Sequence, residues 1–396
     1  MNRWILVSGL MTALVVSAVG PGFGQDPTRV RVAATQTTAA TGPQTSAATR
    51  DLLAPASRIE VAFVLDTTGS MSGLIDGAKR KIWGIADEIR RAAPNADIRI
   101  GLVAYRDRGD VYVTEKTDLS SDIYAVYGKL LDYRAQGGGD WPESVNEALS
   151  VAVNGLSWTK TPETRRIVFL VGDAPPHMDY AQDVPFTDTL KIAERDGIVV
   201  DAVQAGGAAD TEIVWKTIAQ LGRGDYVKIP QSGGVVTIKT PFDQEILELQ
   251  LKLNRTVVPY GDQKRQTMVR AKTEMAAKAA PSVASDMASY NLRAVAPSER
   301  AVVTGEGDLV ADVIAGRAKL EGVKKDDLPA DLQGLPQAEL AAAIETKSAE
   351  RKKLQGDLAR LVAERDAVMA AEKAKTGEGR DGFDRVVEEI VRRQIM

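Results

Sequence analysis

Residues 61–73 read VAFVLDTTGSMSG: five apolar residues in a row, an aspartate, then Thr68 and Ser70 within the next four positions. A run that is apolar at every position is buried on both faces, as in a strand at the centre of a parallel sheet. It ends abruptly at Asp66. A backbone turn needs only one Gly and one Asp, so two further hydroxyls on the same side as Asp66 ask for a second explanation. The ordinary one is that Asp66 and Thr68 cap a helix beginning near Met71.

Working outward, similar runs recur with amphipathic stretches between them. IGLVA (100–104), IVFLV (167–171) and IVVDAV (198–203) are apolar throughout, and LIDGAKRKIWGIADEIRRA (74–92) has helical spacing. This alternation predicts an α/β fold, a doubly wound and mostly parallel sheet with helices on both faces. YVTEKTDL (112–119) alternates instead and follows a tight turn at DRGD (107–110), which predicts a short antiparallel edge strand. Within that turn Arg108-Gly109-Asp110 reads as hairpin chemistry rather than as an adhesion tripeptide.

The rest of the chain sets limits. It has 396 residues, no cysteine, one histidine (His177) and a formal net charge of -4. Thiolate chemistry, disulfides and sites needing several imidazoles are therefore excluded, which leaves oxygen donors and hard cations. No basic block with interleaved aromatics stands out, and nucleic acid is not an expected partner. Residues 1–24 carry one Arg, an apolar stretch from Trp4 to Val19 and a small-residue signal ending at Gly24, the pattern of a cleaved secretion peptide. An exported protein, periplasmic or secreted, with no transmembrane segment after signal removal is expected.

Residues 25–57 are rich in Thr, Ala, Ser, Gly and Pro and are read as a disordered linker, and the sheet-forming part spans 58–257. Residues 258–335 read as a helical segment. Residues 336–396 read as a charged helical or coiled-coil tail, with Leu340, Ile344, Leu354, Leu358, Leu361 and Val368 along one seam. Lys347, Arg351 and Arg365 interrupt that heptad, which favours packing on neighbouring helices over a long dimeric coiled coil.

Ligands of open parallel sheets sit beyond the carboxyl ends of the strands. Three acidic loops fall there: DTTGS after the first strand, GGGDWPES (137–144) before a helix, and GDAPPH (172–177) after IVFLV. Asp66, Thr68, Ser70, Asp140 and Asp173 are the candidate ligands. Trp141 is a candidate rim contact, and so is His177, although a loop histidine beside two prolines reads first as a surface or packing residue.

The Asp66-x-Thr68-x-Ser70 pattern after an apolar strand resembles the metal-ion-dependent adhesion site of von Willebrand factor type A domains, and the GGGD-x-PE loop is similar to that of a bacterial secreted, hemicentin-like branch. The resemblance implies a divalent cation, Mg²⁺ first and Ca²⁺ or Mn²⁺ as alternatives, held by Asp66, Thr68, Ser70 and Asp173. Asp140 stands where the family has a threonine. It further implies a non-catalytic protein that binds a protein partner offering an acidic group to the metal. Other readings are an envelope assembly component working through the helical tail, and a metal-dependent hydrolase. The segment DQEILELQLKLN (243–254) is expected to be the last helix of the domain and to couple the metal site to the tail.

Overall fold

The computed structural model describes residues 56–293, 301–375 and 382–395. The expected secretion peptide and nearly all of the expected linker lie outside the described residues.

The chain runs β1 (Arg58–Asp66), α1 (Ser72–Ala92), β2 (Asp97–Tyr105), β3 (Thr114–Ser120), α2 (Ile123–Asp132), α3 (Val145–Gly155), β4 (Thr164–Gly172), α4 (Phe186–Arg195), β5 (Ile198–Ala205), α5 (Ala209–Leu221) and β6 (Arg223–Ile229). Helices follow: α6 (Asp243–Asn254), α7 (Gln263–Ala277), α8 (Pro281–Leu292), α9 (Leu309–Ile314), α10 (Ala330–Gln333), α11 (Gln337–Lys375) and α12 (Phe383–Ile395). The six strands lie in the order β3-β2-β1-β4-β5-β6. All neighbours are parallel except β3, which pairs antiparallel with β2 at the edge. The fold is thus the doubly wound, mostly parallel sheet expected from the alternation, followed by a helical C-terminal region.

The alternation of β1 side chains divides the core. Ile59, Val61, Phe63 and Leu65 face one layer with Trp83, Tyr124 and Phe383, while Ala62 and Val64 face the other with Leu149, Leu190 and Trp215. On the first side α1 and α2 lie beside α12; on the second lie α3, α4 and α5. Strand order reverses between β1 and β4, because β1 leads through α1 to β2 on one side and β4 through α4 to β5 on the other. That switch point opens a crevice beyond Asp66 and Gly172, where side chains of separate loops converge.

The C-terminal helices close on this body. Expected to be the last helix of the domain, α6 packs on α7, α8 and α11, and α12 reaches β4 and β6. Phe383 meets Phe63 edge-on at 6.2 Å between ring centroids, and Val387, Ile390 and Val391 are buried with it. Within α11 the apolar seam divides between two cores: Leu340 and Ile344 join Val258, Leu309, Val310, Leu328 and Leu332, whereas Leu354, Leu358 and Leu361 join the sheet core. The two arginines that break the heptad are buried in the same seam. Arg351 pairs with Asp308 at 2.8 Å and donates to the Thr256 hydroxyl and carbonyl, both at 2.9 Å. Arg365 bridges Asp243 at 2.9 Å and Asp286 at 2.7 Å. Buried charges are tolerated only when paired and hydrogen-bonded, so these contacts fix the register of α11 on α6 and α8. Among the described residues no helix is long and apolar enough to cross a membrane.

Candidate metal centre

Asp66 is the last residue of β1 and is fully buried. The extended Thr68 that follows turns back on it: its amide donates to Asp66 Oδ1 at 2.8 Å and its hydroxyl to the same oxygen at 2.6 Å. Ser70 Oγ lies 3.3 Å from the Thr68 hydroxyl, on a short 3-10 turn leading into α1. Neither Thr68, which precedes the 3-10 turn, nor Met71, which precedes α1, makes a side-chain capping hydrogen bond. Buried Asp66 Oδ2 has no hydrogen-bond partner among the described residues.

A glycine makes this packing feasible. Gly172, at the end of β4, sits where a Cβ would come within 2.2 Å of the Tyr105 hydroxyl and 3.1 Å of Asp66 Oδ2. The next residue, Asp173, is also buried, and its Oδ2 accepts a 2.6 Å bond from Gln231 in the loop after β6. Thr211, in the first turn of α5, holds the Asp173 carbonyl at 3.0 Å.

The third loop crosses above the first. Gly69 N donates to the Gly137 carbonyl at 3.1 Å, and Gln136 N to the Thr67 carbonyl at 3.0 Å. Gly137 and Gly138 both have φ +79°, and the Asp110 carboxylate occupies the space a Gly137 Cβ would need while accepting from Gly138 N at 3.0 Å. The Arg-Gly-Asp triplet therefore folds inward: Gly109 turns with φ +97° and Asp110 braces the glycine loop.

Glu143, which the sequence reading did not single out, enters the cluster from this loop. It is buried, its Oε1 lies where a Gly138 Cβ would be only 3.0 Å away beside Thr68, and its Oε2 is unpartnered. A one-residue parallel bridge to Pro176 sets its direction, with Glu143 N donating to Pro175 O at 2.9 Å and His177 N to Glu143 O at 3.0 Å. Burial, and then the charges of Asp66, Asp107, Asp110 and Asp173, push the Glu143 carboxyl up to about 9. Burial is likewise the main cause that raises Asp66 to about 7, against the lowering effect of the Thr68 bonds, with the Asp173 charge adding to the rise. The Tyr105 phenol is raised further still by burial and the same carboxylates.

Asp140 stands apart from this arrangement. Its side chain is 61% exposed, and its carboxylate lies 3.6 Å from His177 Nε2. His177 is buried, not a surface residue, and Asp107 lies 3.5 Å from the same nitrogen. Burial alone would lower the imidazole pKa, but the Asp179 hydrogen bond and the charges of Asp107, Asp140 and Asp179 together raise it. Trp141 is 46% exposed and donates its indole N–H to Asp210 at 2.6 Å. The structure therefore brings Asp66, Thr68, Ser70 and Asp173 to one rim, places Glu143 there as the glycine loop's carboxylate, and groups Asp140 with His177. The only signal for Glu143 in the sequence was its presence as a second acid in GGGDWPES, three positions after Asp140.

Comparison with known proteins agrees with this picture over the sheet. A family model described as von Willebrand factor A domain matches residues 60–240. The chain is 35% identical over 205 residues to the mouse (Mus musculus) von Willebrand factor A domain-containing protein 7, covering 49% of this chain and 20% of that one. The rat (Rattus norvegicus) protein of the same name is 36% identical over 126 residues, 31% of this chain and 12% of its own length. A Dictyostelium discoideum protein named alpha-protein kinase vwkA is 27% identical over 120 residues, 30% of this chain and 19% of that one. The chain thus spans a fifth or less of the length of these relatives. The crystal structure of the SpRpn10 VWA domain aligns with a TM-score of 0.34 and 12% identity, over 44% of this chain and 88% of that one. Over residues 60–240, less than half of the chain, the family match marks a similarity to von Willebrand factor A domains, in keeping with the strand order and the strand-end aspartate.

Proposed function

We propose that this protein binds a partner protein through a divalent cation held at the Asp66 rim. Domains of this family mediate protein–protein interactions, often with metal. The observation that carries the reading is the orphaned Oδ2 of fully buried Asp66, in a cluster with Glu143 and Asp173 whose strongest mutual influences are all acidic. Uncompensated buried carboxylates are costly, and a small cation is the neutralising group that an all-oxygen donor set suits best. Asp66, Thr68, Ser70 and Asp173 would hold it, with Glu143 close by. Mg²⁺ fits first, and the added carboxylate also admits Ca²⁺ or Mn²⁺. When bound, the ion supplies a concentrated positive charge that an acidic side chain of the partner can ligate.

The role is recognition without turnover, in a protein exported to the periplasm or beyond. Supporting this, Thr68 and not a second carboxylate stands two residues after Asp66, where a phosphotransferase would need its general acid. The test compares wild type with Asp66→Ala in calorimetric Mg²⁺ titration, capture of envelope proteins with and without chelator, and hydrolysis of generic esters and phosphates. Saturable metal uptake and chelator-sensitive capture in the wild type alone, with no hydrolysis in either, are expected. Metal-dependent turnover by the wild type, or capture unaffected by Asp66→Ala, overturns the reading.

A further inference from the structure

The geometry around His177 points to a second metal site, separate from the Asp66 rim: we propose that His177 Nε2, Asp107 and Asp140 bind a first-row transition ion of the Zn²⁺ class. His177 is 5% exposed, and its Nε2 is buried with no hydrogen-bond partner among the described residues. That nitrogen faces Asp107 Oδ2 at 3.5 Å and Asp140 Oδ2 at 3.6 Å. These distances are too long for a hydrogen bond, which closes at about 2.7–3.2 Å. They match the edge of a tetrahedron whose ligands lie about 2.1 Å from a central ion, roughly 3.4 Å. The three donor atoms all lie within 4.8 Å of one another, and exposed Asp140 is free to move in to close the widest edge.

What surrounds the donors is arranged as a supporting shell. His177 Nδ1 is 2.8 Å from Asp179 Oδ1, so that with Nδ1 donating to this carboxylate the Nε2 lone pair is left toward Asp107 and Asp140. A carboxylate on the far nitrogen of a metal-binding imidazole both fixes the tautomer and raises its basicity. Tyr180 ties two of the ligands together. Its ring stacks on the imidazole at 4.0 Å between centroids, and its hydroxyl donates to Asp107 at 2.9 Å. Ser144 Oγ donates to the other Asp107 oxygen at 3.0 Å. One imidazole and two carboxylates favour Zn²⁺, Co²⁺ or Mn²⁺ over Mg²⁺ and Ca²⁺, which prefer oxygen alone. Such an ion would pin three rim segments: the end of β2 through Asp107, the glycine loop through Asp140 and the loop after β4 through His177.

Because His177 is the only histidine in the chain, its nitrogen signals are unambiguous in protein freed of any affinity tag. The experiment is a Zn²⁺ titration of metal-free, ¹⁵N-histidine-labelled full-length protein, followed by long-range ¹H–¹⁵N NMR, with Co²⁺ absorption spectra and calorimetry in parallel. Expected are a large Nε2 shift saturating at one equivalent of Zn²⁺ and a Co²⁺ visible band, both retained in Asp66→Ala and lost in His177→Ala. Asp140→Asn, a change at an exposed side chain that does not threaten folding, should weaken Zn²⁺ by at least about tenfold, and Asp179→Asn by about 10–100-fold. An Nε2 resonance that follows pH as a plain imidazolium and ignores saturating Zn²⁺ overturns the proposal, as does unchanged Zn²⁺ affinity in Asp140→Asn. Absence of saturable Mg²⁺ uptake by the wild type, with its Zn²⁺-induced Nε2 shift intact, would count against the adhesion reading and leave this site standing.

Discussion

Exchanging Asp66 for asparagine should act in opposite directions with and without metal. Asparagine keeps an Oδ1 to accept the 2.8 and 2.6 Å bonds from Thr68, so the loop geometry survives, and only the charge and the unpartnered Oδ2 are replaced. In chelator, the wild type must keep this carboxylate buried, and its pKa rises from 3.8 to about 7. At about 1.4 kcal/mol per unit this sets a ceiling of roughly 4 kcal/mol, which internal relaxation reduces to about 2. The sign follows from the raised value: the stability is fully present below the unfolded pKa and is lost as the pH climbs through about 7. Asp66→Asn should therefore be about 2 kcal/mol more stable than wild type in chelator at pH 8 and equal to it at pH 3.5. Saturating Mg²⁺ should reverse the order, since a ligand at a hundred times its Kd stabilises the wild type by about 2.7 kcal/mol and the variant by nothing. Urea midpoints monitored by circular dichroism measure all four conditions. An asparagine variant less stable than wild type in chelator at pH 8, or one that gains as much from Mg²⁺, refutes the argument.

Four further outcomes are expected. Arg365→Ala should cost about 3–5 kcal/mol in urea unfolding by stranding Asp243 and Asp286, and Arg365→Met should cost less if packing replaces part of the loss. Gly137→Ala forces a side chain into a φ +79° position already filled by Asp110, so Mg²⁺ affinity should fall at least about tenfold while the helical signal stays unchanged. Asp201 is raised by burial to about 7 although Gln394 and Arg393 of α12 act to lower it; its contribution to folding stability should be fully present below its unfolded pKa and lost as pH rises through about 7, read by urea unfolding across pH and abolished as a pH effect in Asp201→Asn. If metal binding is coupled to the C-terminal helices through the Asp243–Arg365 contact, exchange in α11 should slow on adding Mg²⁺; identical protection with and without the ion rejects coupling.

The sheet was legible because both its central and its edge strands carry their burial in the pattern of single residues. VAFVL is apolar at each position and lies between β2 and β4, while TEKTDLS is polar apart from Leu119 and lies at the edge. Strand ends were legible for the same reason, so Asp66 and Asp173 could be placed on one rim before any coordinates. The glycine loop was not. GGGDWPES offers two acids three positions apart, and which one turns inward depends on left-handed Gly137 and Gly138 and on the bridge from Glu143 to Pro176, none of which is a local preference of either acid. In α11 the arginines showed only as interruptions, since Asp308, Asp243 and Asp286 are remote in sequence and meet them only through tertiary packing. His177 looked like a loop residue because nothing adjacent to it announces that Asp107 arrives from β2.

The placement of Phe383, Val387 and Ile390 against the first strand has a consequence for how the protein is made. Helices α1 and α2 can cover much of the apolar face around Phe63 soon after it leaves the ribosome, but the part under Phe383, Val387 and Ile390 stays bare until residues 383–395 have also emerged. Such distant pairing is slow, and the waiting chain is exposed to aggregation, so chaperone demand should track this helix more than the metal rim. A fragment ending near residue 257, although it contains every strand of the described residues, would carry the same bare surface permanently.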